Sequence, residues 1–177
     1  LGGKTLGLLG FGVIGKKVSR LAQVFGANVI AYDPFVKSSD AENLGVSLTT
    51  QEALFSLSDV ISIHLPLTDE TRDLMNLSSF NKMKKNPIII NSSRGFVVDA
   101  HALAEFLLTN NDAHAILDVH DTEPIPTEEP QLHTPHPSLF PHMACKKKTA
   151  SVNMGRVVRD VNSVLCGETP RFSLPNN

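Results

Sequence analysis

Three glycines and one aspartate are the residues in this sequence whose types and spacing most directly specify a chemistry. Gly10-Phe11-Gly12-Val13-Ile14-Gly15 has the spacing GxGxxG and lies between a short apolar run, Thr5–Leu9, and a segment of helical period. A strand, a glycine turn and a helix in that order present free N–H groups, here around Val13 and Ile14, to a pyrophosphate. Gly10 permits a tight turn, Gly12 omits the Cβ that would block the phosphates, and Gly15 lets the helix lie close to the strand. Asp33 closes the next apolar run 18 positions after Gly15, near the ~20-residue spacing of an acid that binds ribose hydroxyls. Its carboxylate would repel a 2′-phosphate, which favours NAD over NADP, with Lys37 as the nearby basic counterweight. A plain βα turn could carry the same glycines; the coincidence of strand, glycines, helix and acid favours dinucleotide binding.

Such residues need a scaffold that holds strand ends side by side. Short apolar runs alternate with helical segments along the chain, which predicts an α/β fold: a doubly wound, mainly parallel sheet of the Rossmann type with helices on both faces. Strands are expected at Thr5–Leu9, Asn28–Tyr32, Val46–Leu48, Val60–Leu65, Pro87–Asn91 and Ala113–Val119, with a short one at Ser138–Phe140. In the first helix Ile14, Val18, Leu21 and Phe25 form the stripe expected to face the sheet. Thr49 and Glu52 read as a capping box for a helix through Leu57. Thr68–Met75 and Ser78–Lys85 read as short helices, and Asp99 caps a helix carrying Leu103, Phe106 and Leu107. The Pro-rich stretch from Glu123 to Pro137 reads as loop, and a last helix runs from about Lys147 to Leu165, ending before Gly167.

Composition narrows the class. The chain has 177 residues, 41% hydrophobic, with 16 basic against 18 acidic side chains and a formal charge of −2. That balance gives no electrostatic reason to expect nucleic acid or a membrane surface. Cys145 and Cys166 fit neither a disulfide framework nor a zinc spacing, so no metal is expected and the cytoplasm is the expected compartment. No apolar run approaches the ~18 residues of a membrane helix, and no basic-then-apolar leader is present. The start at Leu1-Gly2-Gly3-Lys4, directly ahead of a strand, reads as one domain (1–177) of a longer protein, with the helix and tail from 147 to 177 leading toward a substrate domain outside it.

Beyond the glycine turn, the chain contains HLPLTDETRDLMN at 64–76, MKKNPIIINSSRG at 83–95, ILDVHDTEP at 116–124 and the pair Pro141-His142. In these motifs and their order it resembles the D-isomer-specific 2-hydroxyacid dehydrogenases over nearly its whole length. The resemblance implies an NAD-dependent enzyme in which Arg94 holds the carboxylate and carbonyl of a 2-keto or 2-hydroxy acid, His142 transfers a proton and Glu123 partners that histidine. The chemistry asks for such groups, because hydride arrival puts negative charge on the carbonyl oxygen, which a fixed cation and a proton donor both stabilise. The resemblance further implies that Asp118 holds the nicotinamide carboxamide, that Pro66, Thr71, Ser92 and Ser93 line the cofactor groove, and that the domain forms a homodimer. An isolated domain of this kind is expected to turn over poorly.

Two segments depart from the family pattern. His120 and Asp121 stand where an aromatic residue and a glutamate are usual, and neither change is expected to touch the Arg94, Glu123 and His142 set. Met143-Ala144-Cys145-Lys146-Lys147-Lys148 replaces a small, glycine-rich turn; Cys145 reads as inert filler and the lysines as a solvated helix end. A rival function of another class also fits the resemblance: an NAD(H)-sensing binding module, such as a transcriptional corepressor of this fold.

Overall fold

The computed structural model describes residues 1–135, 137–143, 161 and 163–168. The chain divides into two compact units, Leu1–Pro141 and His142–Asn177.

In the first unit seven parallel strands form one sheet in the order β3-β2-β1-β4-β5-β6-β7. They are β1 (Thr5–Leu9), β2 (Asn28–Tyr32), β3 (Ser47–Leu48), β4 (Val60–Ile63), β5 (Ile88–Asn91), β6 (His114–Leu117) and β7 (Pro137–Leu139). Parallel strands covered on both faces need apolar side chains on both, hence runs such as Ile88-Ile89-Ile90 rather than alternation. Leu8 belongs to one core cluster, with Ala22 and Ala41 from helices α1 (Val13–Val24) and α2 (Ser38–Glu42). Its neighbour Leu9 belongs to the other, with Phe55, Phe80 and Leu103 from α3 (Gln51–Leu57), α4 (Leu77–Phe80) and α5 (Ala100–Thr109). Chain order reverses direction between β1 and β4, and a doubly wound sheet binds its ligands at the carboxyl ends of the strands flanking that point.

Several expected local features are corrected. Helix α1 packs through Gly15, Ser19 and Ala22; of the expected stripe Val18 packs against the core, whereas Ile14, Leu21 and Phe25 are 62%, 64% and 67% exposed. Small residues let the helix axis approach the sheet, and the larger apolar ones are left on the outer face. The cap of α3 is Thr50, whose Oγ1 accepts from the Ala53 N–H at 3.2 Å; the Thr49 N–H instead extends the sheet by donating to the Ala31 carbonyl. Helix α2 was not expected. The segment 68–75 contains turns and no helix, because the Asp73 and Met75 N–H groups donate to the Phe96 and Val97 carbonyls rather than to their own chain. The helix expected at Ser78–Lys85 is shortened to Leu77–Phe80, with a turn through Asn86 at φ 60°. The Pro-rich stretch contains a 3₁₀ turn, Pro130–His133, and β7 begins at Pro137.

In the second unit, residues 161 and 163–165 are helical. The helix ends as expected: Gly167, at φ 77°, donates to the Val164 carbonyl, and the Glu168 N–H to that of Ser163. The start of this helix, Cys145, the lysine run and the tail beyond 168 lie outside the described residues.

Candidate active site and cofactor turn

The glycine turn is shaped by three different demands. Gly10 has φ 93°, and a Cβ there would meet the His64 carbonyl oxygen at 2.7 Å. A Cβ on Gly15 would meet the backbone oxygen of Gly10. Gly12 differs, because a Cβ there would meet nothing within 4 Å; its missing side chain leaves open space above the turn. No side chain caps α1, so its first N–H groups are available to an anion, and Val13 and Ile14 stand exposed at that end.

Asp33 locks this turn. Its Oδ2 accepts from the Phe11 N–H at 2.8 Å and its Oδ1 from the Phe35 N–H at 2.9 Å. Each oxygen keeps a further lone pair for a ribose hydroxyl. Uncapped helix start, open space over Gly12 and an anchored carboxylate together fit a dinucleotide.

On the other side of the switch point, β5 ends in Asn91, which is buried. Its Nδ2 donates to the Arg94 carbonyl at 2.9 Å, and its Oδ1 accepts from the Ser93 N–H and Oγ at 3.0 and 2.9 Å. Asn91 thus folds the Ser92-Ser93-Arg94 turn, and the exposed Arg94 guanidinium rests on the Ser93 carbonyl at 2.7 Å. The Asn91 carbonyl also accepts from the Asp118 N–H, which joins the ends of β5 and β6. In the preceding loop, the Thr71 Oγ1 donates to the Pro66 carbonyl at 2.7 Å and accepts from the Thr68 N–H at 2.8 Å. Arg72 lies 4.6 Å from the centre of the Phe96 ring.

Glu123 is exposed, and its Oε1 accepts from the His120 N–H at 3.4 Å. The Arg94 turn and the Glu123 loop meet through Gly95, where any Cβ would overlap the His120 carbonyl and the Asp121 nitrogen. Beneath this contact is a cavity of about 10 Å³, lined by Asn91, Gly95, His120, Asp121, Glu129 and Gln131 among others. Room for one water-sized molecule and a buried Gln131 Oε1 with no hydrogen-bond partner among the described residues suit an ordered water. Burial raises the pKa of Asp121, and the charges of Glu129 and Asp73 push it the same way. His64, whose Nε2 lies 3.0 Å from the Ser62 Oγ, has its pKa lowered by burial. His142 begins the second unit, two residues past Phe140, with φ 51°.

Within the first unit the structure therefore brings Gly10, Gly12, Gly15 and Asp33 into one cluster and Ser93, Arg94, Asp118 and the Glu123 loop into another. Sequence reasoning missed Asn91, Gly95 and His120. A polar residue closing an apolar strand was the available signal for Asn91, and the departure from the usual aromatic marked position 120 without giving its role; nothing local marked Gly95.

Residues 1–144 match the family described as the D-isomer specific 2-hydroxyacid dehydrogenase NAD-binding domain. The chain belongs to this family. Among curated relatives of this NAD-binding domain is the D-3-phosphoglycerate dehydrogenase of Archaeoglobus fulgidus, 38% identical over 160 residues that cover 90% of the chain and 30% of that protein. Another is the glyoxylate reductase of Korarchaeum cryptofilum, 37% identical over 158 residues, covering 89% of the chain and 48% of that protein. The crystal structure of a glyoxylate reductase from Paecilomyes thermophila matches with a TM-score of 0.89 at 31% identity, over 98% of this chain and 53% of that one. That of D-lactate dehydrogenase with NAD+ from Lactobacillus jensenii matches at 0.82 and 30%, over 98% and 56%. The chain thus spans about a third to a half of the length of these relatives. Among the described residues, no group of three His, Cys, Asp or Glu side chains could hold a metal. Among the described residues no helix is long and apolar enough to cross a membrane.

Proposed function

We propose that this domain binds NAD(H) at the carboxyl ends of its strands and serves a dehydrogenase acting on a small D-2-hydroxy or 2-keto acid. The supporting observation is the pairing of two sites at the ends of β1, β4, β5 and β6: an open, uncapped glycine turn locked by Asp33, and an arginine turn folded by Asn91. Bound NAD supplies the hydride acceptor, and NADH the donor.

The chain's own groups do the rest. The first N–H groups of α1 bind the pyrophosphate over Gly12, and Asp33 accepts from the ribose hydroxyls. Pro66, Thr71, Ser92 and Ser93 border the groove, and Asp118 orients the carboxamide. Arg94 offers two parallel N–H donors to the substrate carboxylate and carbonyl, stabilising the charge that develops on the oxygen. His142 delivers the proton in reduction and takes it in oxidation, with Glu123 as its partner. The protein acts as a cytoplasmic homodimer with a small acid as its partner, and neither nucleic acid nor a membrane is required.

Calorimetric titration with NADH and NADPH tests the reading. NADH is expected to bind more tightly, and Asp33→Ala to weaken it; equal binding of the two cofactors, or no effect of the substitution, overturns the assignment of Asp33. The 177-residue chain alone is expected to turn over poorly, and turnover at ordinary enzyme concentrations contradicts that expectation.

A further inference from the structure

We propose that His120 is a positioning residue that ties the end of β7, from which His142 departs, to the loop that carries Glu123. The inference rests on the reading of Glu123 and His142 given above.

His120 is 9% exposed. Its ring Nε2 lies 3.0 Å from the Phe140 carbonyl oxygen, and its own N–H lies 3.4 Å from the Glu123 Oε1. The Phe140 N–H donates to the Leu117 carbonyl at 2.8 Å, continuing the pairing of β6 with β7. Phe140 is therefore held on both sides, by β6 through its nitrogen and by His120 through its oxygen. Gly95 packs directly on the carbonyl of the same histidine. One buried residue thus touches the arginine turn, the glutamate loop and the segment that leads to His142.

The chemistry selects the ring form. A carbonyl oxygen only accepts, so Nε2 must carry the hydrogen, and the neutral ring is the Nε2–H tautomer. Protonation adds a hydrogen at Nδ1 and leaves the Nε2 donor in place. The tie therefore survives a change in ring charge. A phenylalanine at this position would fill a similar volume without donating, and the loop and the β7 end would be joined by packing alone. Glutamine can place an amide nitrogen near the position of Nε2.

The test is NMR on the 177-residue chain and its His120→Phe and His120→Gln variants. Long-range 1H–15N spectra of the parent are expected to show the Nε2–H tautomer at neutral pH. His120→Phe is expected to speed amide exchange at Phe140 at least tenfold. Exchange in Ala115–Leu117 should stay unchanged, and His120→Gln should restore the parent values. An Nδ1–H tautomer, or Phe140 amide exchange that is the same in all three proteins, overturns the proposal. Should His120→Phe fail to fold, the tautomer and the Phe140 exchange rate in His120→Gln decide it: exchange much faster than in the parent overturns the proposal. NADH titration of the same samples reads the cofactor assignment separately. Loss of binding in the parent counts against the proposed function, while the tautomer and exchange results bear on the tie alone.

Discussion

The two halves of the site are built from different materials. At the cofactor turn, position is set by backbone and by absent side chains: Gly10 and Gly15 are closed in by carbonyl oxygens, Gly12 faces open space, and one carboxylate locks the result. At the arginine turn, position is set by buried side chains that hydrogen-bond to backbone, with Asn91 holding Ser93 and Arg94 and His120 holding Phe140. A backbone site tolerates little change in shape yet asks little of its neighbours. A braced site can be re-aimed by changing one brace.

The largest effect expected from this contrast comes where the braced half borrows the other half's method. Gly95→Ala drives a Cβ into the backbone of His120 and Asp121, and overpacking against backbone should cost about 3 kcal/mol, read as a shift in the urea midpoint. Unchanged stability would mean that the two loops are not in contact. Asn91→Ala comes next: a buried brace is lost and the Ser93 N–H is left to water, at a cost of about 1–3 kcal/mol. NADH binding should weaken with it, since the Ser92-Ser93 turn unravels; a melting temperature within a degree of the parent would dissolve the distinction between the halves.

Gly12→Ala should do the reverse. Its Cβ meets nothing in the fold, so the melting temperature should hold while NADH affinity falls about tenfold, roughly 1.4 kcal/mol. If stability falls instead, Gly12 serves the turn and not the ligand. The smallest effect is electrostatic. The folded-state pKa of Asp121 is raised, so below the unfolded value the group is neutral in both states and contributes nothing. As pH rises through the folded value, the native state must ionise a partly buried carboxyl and stability falls. Asp121→Asn should therefore raise the melting temperature near pH 7 and leave it unchanged near pH 3. For His64 the shift is downward, so stability should decline as pH falls below 6.5, less steeply in His64→Gln.

The strands were legible because burial on both faces writes them as unbroken apolar runs, Ile88-Ile89-Ile90 most clearly. The glycine turn was legible because its chemistry is local, with all its parts within 33 residues. Helix α1 was misread because a helix that packs closely hides small residues and leaves large ones outside, which inverts the usual stripe. The segment 68–75 was misread because its Asp73 and Met75 N–H groups find their partners in 96–97, more than twenty residues away. His120 stood out as a departure from the family pattern, yet its contact with Phe140 was not legible because the two are brought together only by the β6–β7 pairing.

The strand order has a consequence for how the chain is made. β1 is flanked by β2, which follows it closely, and by β4, with Leu6 beside Val60. During synthesis at ~5–20 residues per second, one edge of β1 waits about 3–10 seconds for its second partner to be made. Through that interval Leu6, Leu8 and Leu9 offer an unpaired apolar edge to any strand that comes near. A nascent chain halted before residue 60 should therefore be a substrate for holding chaperones, and one released after β4 has emerged should be far less so.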